Sequence, residues 1–438
     1  MKMFDDVNMI RHIIVNKIRS LQSHLKKVIV KRKEKRMIAS VVKKQKNALS
    51  LLQNKERITC VFMAIDISIW KYDEVVKIMQ KDPRFEPIIF VCPMVNHGEE
   101  IMKEKMKQSV SFYKEKGYNV ICSFNETTNS YVDLKKEINP DILFYTNPYK
   151  GLIDDRYYIT NYLDTLTVYV SYFINCSIDN RFSTDILLYN LVWRKYVEFD
   201  FNKTLCQSFA RNNGRNVVVT GYPGIEPLIN HHTIIDPFNG DKRKRIIWAP
   251  HHTLKKSIYG HSCFLKYANF MLSMVEKYKN DALFIFKPHP LLKAKLYKVW
   301  GKECTEKYFH NWNSNSNGFI NEGEYVDLFL TSDAMIHDSG SFIVEYLYAN
   351  KPVMRTINDL PLNEQFNDFA LSCLEHYYYG YNEQDIEFFI QNIINGIDPL
   401  NEQRTNFVND ILMPKGCPSE NIVNDIIESI KNQRVFAE

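Results

Sequence analysis

From Ile58 onward, short unbroken apolar runs alternate with longer amphipathic stretches. Continuous apolar runs of this length are the signature of strands buried on both faces of a parallel sheet. They occur at 58–65 (ITCVFMAI), 86–92 (EPIIFVC), 118–123 (YNVICS), 141–146 (DILFYT), 167–173 (TVYVSYF) and 216–221 (NVVVTG). Between them, 73–80, 99–117, 131–138 and 184–199 read as helices, and Gly117 supplies a stop for the second of these. Such alternation predicts βαβ units and a doubly wound parallel sheet.

The segment 230–245 (NHHTIIDPFNGDKRKR) reads as a connection, after which the alternation restarts. Strands are expected at 245–250, 282–288, within 328–338 and at 351–356, with helices at 262–278, 341–350, 384–396 and 419–432. The expected architecture is therefore α/β: two Rossmann-like domains in tandem, of GT-B type. A ligand is expected in a cleft between them, at the carboxyl ends of the strands. The expected division is 1–57 as a basic helical arm, 58–235 and 236–415 as the two domains, and 416–438 as a C-terminal helix. At 438 residues the chain has room for both domains.

The arm holds 16 Lys and Arg against 4 Asp and Glu, a balance of +12 in a chain whose total is +5. The rest is therefore mildly acidic. No Gly or Pro interrupts 7–53, and Ile10, Ile14, Ile18, Leu21, Leu25 and Val28 recur in steps of three and four. Arg11, Arg19, Lys26 and Lys27 take the other face, followed by KRKEKR at 31–36 and a second helical stretch with Met37, Val41, Val42 and Leu49. A basic amphipathic helix suits an anionic membrane surface. The apolar stripe argues against nucleic acid, whose phosphates need no isoleucines. No run of about 18 apolar residues is present to span a bilayer, and the first residues carry no signal-peptide pattern. Nine cysteines, odd in number, far apart and without C-x-x-C, read as reduced thiols. These features together predict a cytoplasmic protein, peripheral on the inner face of the cell membrane.

Residues able to do chemistry cluster in the second domain, on three loops that each follow a strand. WAPHHT (248–253) carries His251 and His252, and KPHP (287–290) carries Lys287 and His289. The third, beginning at Asp338, places Ser339, Gly340 and Ser341 at a helix start, with Glu345 one turn further in. Small residues at a helix start expose backbone N–H groups that suit a phosphate. Histidine pairs and His-Pro elements are individually weak signals, and DSGS alone could be an N-cap. Their common position after strands points to a pyrophosphate pocket.

These residues resemble the CDP-glycerol:poly(glycerophosphate) glycerophosphotransferases, the teichoic acid primases and polymerases. The shared elements are Lys287-Pro288-His289-Pro290, Ser332-Asp333, Asp338-Ser339-Gly340-Ser341 and Lys351-Pro352. The resemblance is strong over 245–355 and architectural elsewhere. It implies a CDP-activated polyol donor in the C-terminal domain and transfer of a polyol phosphate to a lipid-linked saccharide or polymer acceptor, as in teichoic acid or capsule polysaccharide synthesis. The family's first-domain His-Gly-Thr-Pro element is absent. The sole histidine between 58 and 230 is His97, in NHGE on the loop after the second strand, and it stands as a candidate base beside the reading of a solvated loop residue. NPYKG (147–151) and VSYF (170–173) occupy strand ends where an acceptor could bind.

The expected mechanism is in-line displacement at phosphorus with CMP leaving. A histidine takes the hydroxyl proton, its pKa being near working pH. Lys287, His289 and the 339–341 amides stabilise the leaving phosphate, and Glu345 is a candidate for the ribose hydroxyls. No Asp-x-Asp or carboxylate cluster points to a metal, and no cofactor beyond the CDP-polyol substrate is expected. A GT-B glycosyltransferase using a nucleotide sugar would use the same pocket, and the related sugar 2-epimerase architecture is a third reading. A membrane-surface binding protein without activity is the alternative of another class.

Overall fold

The computed structural model describes residues 2–95, 98–230, 234–238, 240–255 and 262–437, with the backbone alone for 2–21, 23, 26 and 27. The chain divides into two compact units: Met1–Tyr172, Thr184–Thr220 and Ser419–Glu438 form the first, and Phe173–Ser183 and Gly221–Pro418 the second. The expected border at 235/236 thus falls at 220/221, and both units are assembled from separated segments.

The first unit's main sheet has seven strands: β1 (Ile58–Ala64), β2 (Phe85–Val91), β3 (Val120–Cys122), β4 (Ile142–Tyr145), β5 (Leu166–Val170), β6 (Arg194–Val197) and β7 (Val217–Val219). Their order is β3-β2-β1-β4-β5-β6-β7, and every neighbouring pair is parallel. The second unit repeats the pattern with β8 (Lys244–Ala249), β9 (Ala282–Phe286), β10 (Gly318–Ile320), β11 (Ala334–His337), β12 (Val353–Thr356) and β13 (Tyr378–Gly380), in the parallel order β10-β9-β8-β11-β12-β13. In each sheet the winding direction reverses beside the first strand, between β1 and β4 and between β8 and β11. Such switch points open a crevice outside the carboxyl ends of the strands. Every residue of β4, β9 and β11 is buried, which is why they read as unbroken apolar runs.

The stretch 184–199, expected as one helix, is instead a short helix (Leu187–Leu191) followed by β6. Arg194 and Lys195 look like helix-surface charges in sequence, yet Arg194 is fully buried. Its guanidinium pairs with Asp425 at 3.0 Å and donates to Ser429 Oγ and to the carbonyls of Arg434 and Val435. These partners lie on and just beyond the C-terminal helix, Pro418–Lys431, whose Ile422, Val423 and Ile426 join the first unit's core. The segment 131–138, also expected as a helix, is a two-residue strand and a π-helical turn, Leu134–Ile138.

Helix α1 runs Lys2–Leu52 without the break expected near 36. Ile38, Val41, Ala48, Leu49 and Leu52 are buried at helical spacing, and Gln45 Nε2 donates to Leu191 O at 2.9 Å. Glu34 pairs with Arg211 at 2.6 Å. The last third of the arm is therefore part of the first unit's core. Before it, Leu25, Ile29 and Val30 are exposed beside exposed Lys31, Arg32 and Lys33. The stripe residues Ile10, Ile14, Ile18 and Leu21 lie outside the described side chains. Among the described residues no helix is long and apolar enough to cross a membrane. All nine cysteines are thiols, six of them buried.

Candidate functional site

In the second unit, β8, β9, β11 and β12 deliver their following residues to one rim. The core beneath is aromatic: Trp248, Phe286 and Trp312 stack at 5.0–5.6 Å between ring centroids. Trp248 and Phe286 are near the ends of β8 and β9, so this stack fixes where the next residues emerge. The two loops are also tied by backbone bonds, Lys287 N–H to Trp248 O and His289 N–H to Pro250 O.

His251, His252 and His289 converge. Ring centroids are 4.1 Å apart for His251–His252 and His252–His289, and 5.0 Å for His251–His289. The neighbours of each ring fix its proton. Leu291 N–H donates to His289 Nδ1 at 3.1 Å, so a neutral ring carries its proton on Nε2. The Lys295 ammonium lies 2.6 Å from His252 Nδ1, which must then accept, again leaving the proton on Nε2. His251 Nδ1 meets the Thr253 hydroxyl at 3.0 Å, a partner that can donate or accept.

Burial, then the neighbouring rings and Lys295, pushes His251 down to about 3, and burial with His252 and Lys295 does the same to His289. His252 is lowered for the same first reason. The rings are therefore neutral at pH 7. A ring whose conjugate acid titrates near 3 is a weak general base there. What the geometry offers instead is a set of N–H donors.

Asp338 does not face this set as a free carboxylate. It is buried and accepts from His251 N–H (2.5 Å), Ser262 Oγ–H (2.8 Å) and Cys263 N–H (2.6 Å), so it clamps the His251 loop to the loop before the next helix. Ser341 N–H is turned to Ser339 Oγ at 3.2 Å, and the helix it opens, Phe342–Glu345, is one turn long. A Cβ added at Gly340 meets only the Phe366 ring, at 3.9 Å, so nothing in the fold demands glycine there. Lys287 is buried; two of its three N–H bonds go to Asn321 Oδ1 and Gly323 O, both at 2.8 Å. Burial lowers its pKa to about 8. Glu345 is also buried and accepts from Tyr325 O–H at 2.7 Å, a partner that a ribose would share. His97 lies outside the described residues.

Two cations escaped the sequence reading. Lys295 sits on Leu292–Val299, one turn past the KPHP element. Arg355, within β12, is buried over the Phe366 ring at 4.6 Å and donates to Ser339 O at 3.4 Å. Neither belongs to a motif, but both follow by one helical turn or one strand from residues that do.

The three histidines are also the group among the described residues whose ligand atoms, within 4.8 Å of one another, approach a metal-binding spacing. Lys295 places a positive charge against one of the rings, and two Nε2 protons would have to leave. Both features favour an anion.

The model of the CDP-glycerol:poly(glycerophosphate) glycerophosphotransferase family matches residues 196–426. No curated protein matches the chain. Among solved structures, a variant of the wall teichoic acid polymerase TagF is 13% identical with a TM-score of 0.54, over 96% of this chain and 98% of its own. UDP-GlcNAc 2-epimerase from Neisseria meningitidis, solved with UDP-GlcNAc, is 16% identical with a TM-score of 0.55, over 85% and 100%. S. aureus MnaA, solved with UDP, is 16% identical with a TM-score of 0.52, over 86% and 98%. At these identities the likeness establishes the fold: two Rossmann-like units of the GT-B type.

Proposed function

The chain belongs to the CDP-glycerol:poly(glycerophosphate) glycerophosphotransferase family, and from that premise we propose that its second unit binds a CDP-activated polyol phosphate and gives up the polyol phosphate to an acceptor hydroxyl. The observation that carries this reading is the histidine cluster with its two Nε2–H donors and adjacent lysine. Charge develops on the leaving CMP as the P–O–P bridge breaks. Donors preorganised in a half-buried site act most strongly on such charge. His252, His289 and the remaining N–H of Lys287 serve the pyrophosphate, while Asp338 positions the His251 loop. The site needs no metal, because the protein's own N–H groups and ammonium supply the positive end.

Calorimetric titration with CMP and UMP tests the donor assignment. CMP binds at least tenfold more tightly than UMP, and Gly340→Val weakens CMP without lowering the melting temperature, since the fold leaves that Cβ room. Preference for UMP would favour a nucleotide-sugar enzyme. Equal indifference to both would remove the donor site from this rim.

The acceptor in this reading is a lipid-linked saccharide or polymer, and α1 brings the enzyme to it. The exposed apolar and basic residues ahead of Glu34 are suited to an anionic headgroup layer, where each basic residue contributes about 1 kcal/mol. In this reading the protein works at the cytoplasmic face of the membrane.

A further inference from the structure

The second unit buries a cation for which the fold supplies almost no partner. Arg355 of β12 lies in register with His337 of β11 and is 3% exposed. Arginine is seldom enclosed to this degree unless its charge is paired. A guanidinium carries five N–H groups. In Arg355 the hydrogen bond made to a described residue is from Nη1 to Ser339 O, a long one at 3.4 Å. Among the described residues no carboxylate forms an ion pair with it. The acid whose charge reaches it, Asp338, has its oxygens turned to His251 N–H, Ser262 Oγ–H and Cys263 N–H. Two further groups around the guanidinium, Tyr377 and Cys263, are neutral, because burial holds both well above their ordinary pKa values. Its charge is felt by His251, so Arg355 belongs to the same rim as the histidine cluster.

What holds the side chain in place is a ring. The guanidinium carbon lies 4.6 Å from the centre of Phe366. A ring face steadies a cation but accepts few of its N–H bonds. Phe366 is fixed in turn by the 175–178 segment of the same unit: Asn367 N–H donates to Cys176 O at 3.0 Å, and Ile178 N–H to Gln365 O at 3.3 Å. Among the described residues, that ring alone comes within 4 Å of a Cβ built on Gly340. Open space therefore adjoins Ser339, whose carbonyl the guanidinium touches. A fixed cation with unused N–H groups stands beside a loop with room over it.

We propose that Arg355 binds a phosphate oxygen of the nucleotide, at the phosphate that a CDP-polyol and CMP have in common. The proposal rests on the donor-site reading. A guanidinium fork matches two phosphate oxygens at once, and the pair strengthens away from water. The same burial makes Arg355 a burden on the fold when no nucleotide is bound, since an enclosed charge without a hydrogen-bonded counter-ion is destabilising. An apolar side chain of similar length is then more stable in its place, at the expense of binding. An arginine kept for the architecture alone behaves in the opposite way.

The test compares wild type, Arg355→Met and Arg355→Lys in the full chain. Calorimetry with CMP, cytidine and inorganic phosphate is set beside the melting temperature without ligand. Wild type binds CMP about 10–100-fold more tightly than cytidine, the worth of hydrogen bonds to a charged group. Arg355→Met removes that preference, binds cytidine as wild type does and melts at a higher temperature. Arg355→Lys, which keeps the charge without the fork, falls between the two in CMP affinity. An Arg355→Met chain that keeps the preference for CMP, or that melts lower than wild type, overturns the assignment of Arg355 alone. Inorganic phosphate that binds wild type as tightly as CMP makes the ligand free phosphate and overturns the nucleotide assignment. A wild type that binds CMP no better than cytidine overturns the phosphate site, and one that binds neither overturns the donor-site reading with it.

Discussion

Replacing His289 by alanine lowers kcat for polyol phosphate transfer by about 10²–10³-fold, the usual cost of removing one preorganised donor from developing negative charge. The ring's Nδ1 is held by Leu291 N–H, so its Nε2 proton is fixed in direction before the donor arrives. Alanine removes that proton and leaves the backbone bond from His289 N–H to Pro250 O in place. The melting temperature therefore changes little while turnover collapses. His252→Ala acts in the same sense and also frees the Lys295 ammonium. If the His289→Ala enzyme turns over within threefold of the parent at saturating donor, the rim of the second sheet is not where the phosphorus reacts.

Shortening α1 separates two roles that the sequence merged into one arm. A variant lacking residues 1–32 keeps Glu34 and its pair with Arg211, and keeps the buried face from Ile38 to Leu52. It folds with an unchanged melting temperature and loses sedimentation with anionic liposomes at low salt. A variant lacking residues 1–54 loses Ile38, Val41, Ala48, Leu49 and Leu52 together. Emptying one large apolar site of this kind costs about 2–5 kcal/mol, so losing several together costs an amount comparable to the roughly 5–15 kcal/mol that holds a typical domain. That variant is unfolded or aggregated by circular dichroism and gel filtration. Liposome binding that survives removal of 1–32, or a well-folded 55–438 chain, contradicts this account of the helix.

The architecture was legible because its strands are buried on both faces. Runs such as ALFIF at 282–286 have one physical explanation in a chain that alternates them with amphipathic helices. Strand β6 was not legible, because what makes Arg194 tolerable inside is Asp425, 231 residues away. The same distance hid the return of the C-terminal helix to the first unit: Ile422, Val423 and Ile426 announce an apolar face but not its partner. In the site, the histidines and Lys287 could be found because each stands directly after a strand. Lys295, Arg355 and the clamp role of Asp338 depend on how loops from different strands meet, which spacing does not record. The expectation of a histidine base used an unperturbed pKa, and burial of the cluster lowers those of His251 and His289.

The central claim is transfer at phosphorus, and the nucleotide product tests it most directly. With CDP-glycerol and the lipid-linked acceptor, phosphorus NMR of the quenched reaction is predicted to show one CMP for each glycerol phosphate joined to the acceptor as a phosphodiester. Release of a nucleoside diphosphate, from this donor or from a UDP-sugar, would mean that bonding occurs at carbon and would contradict the account.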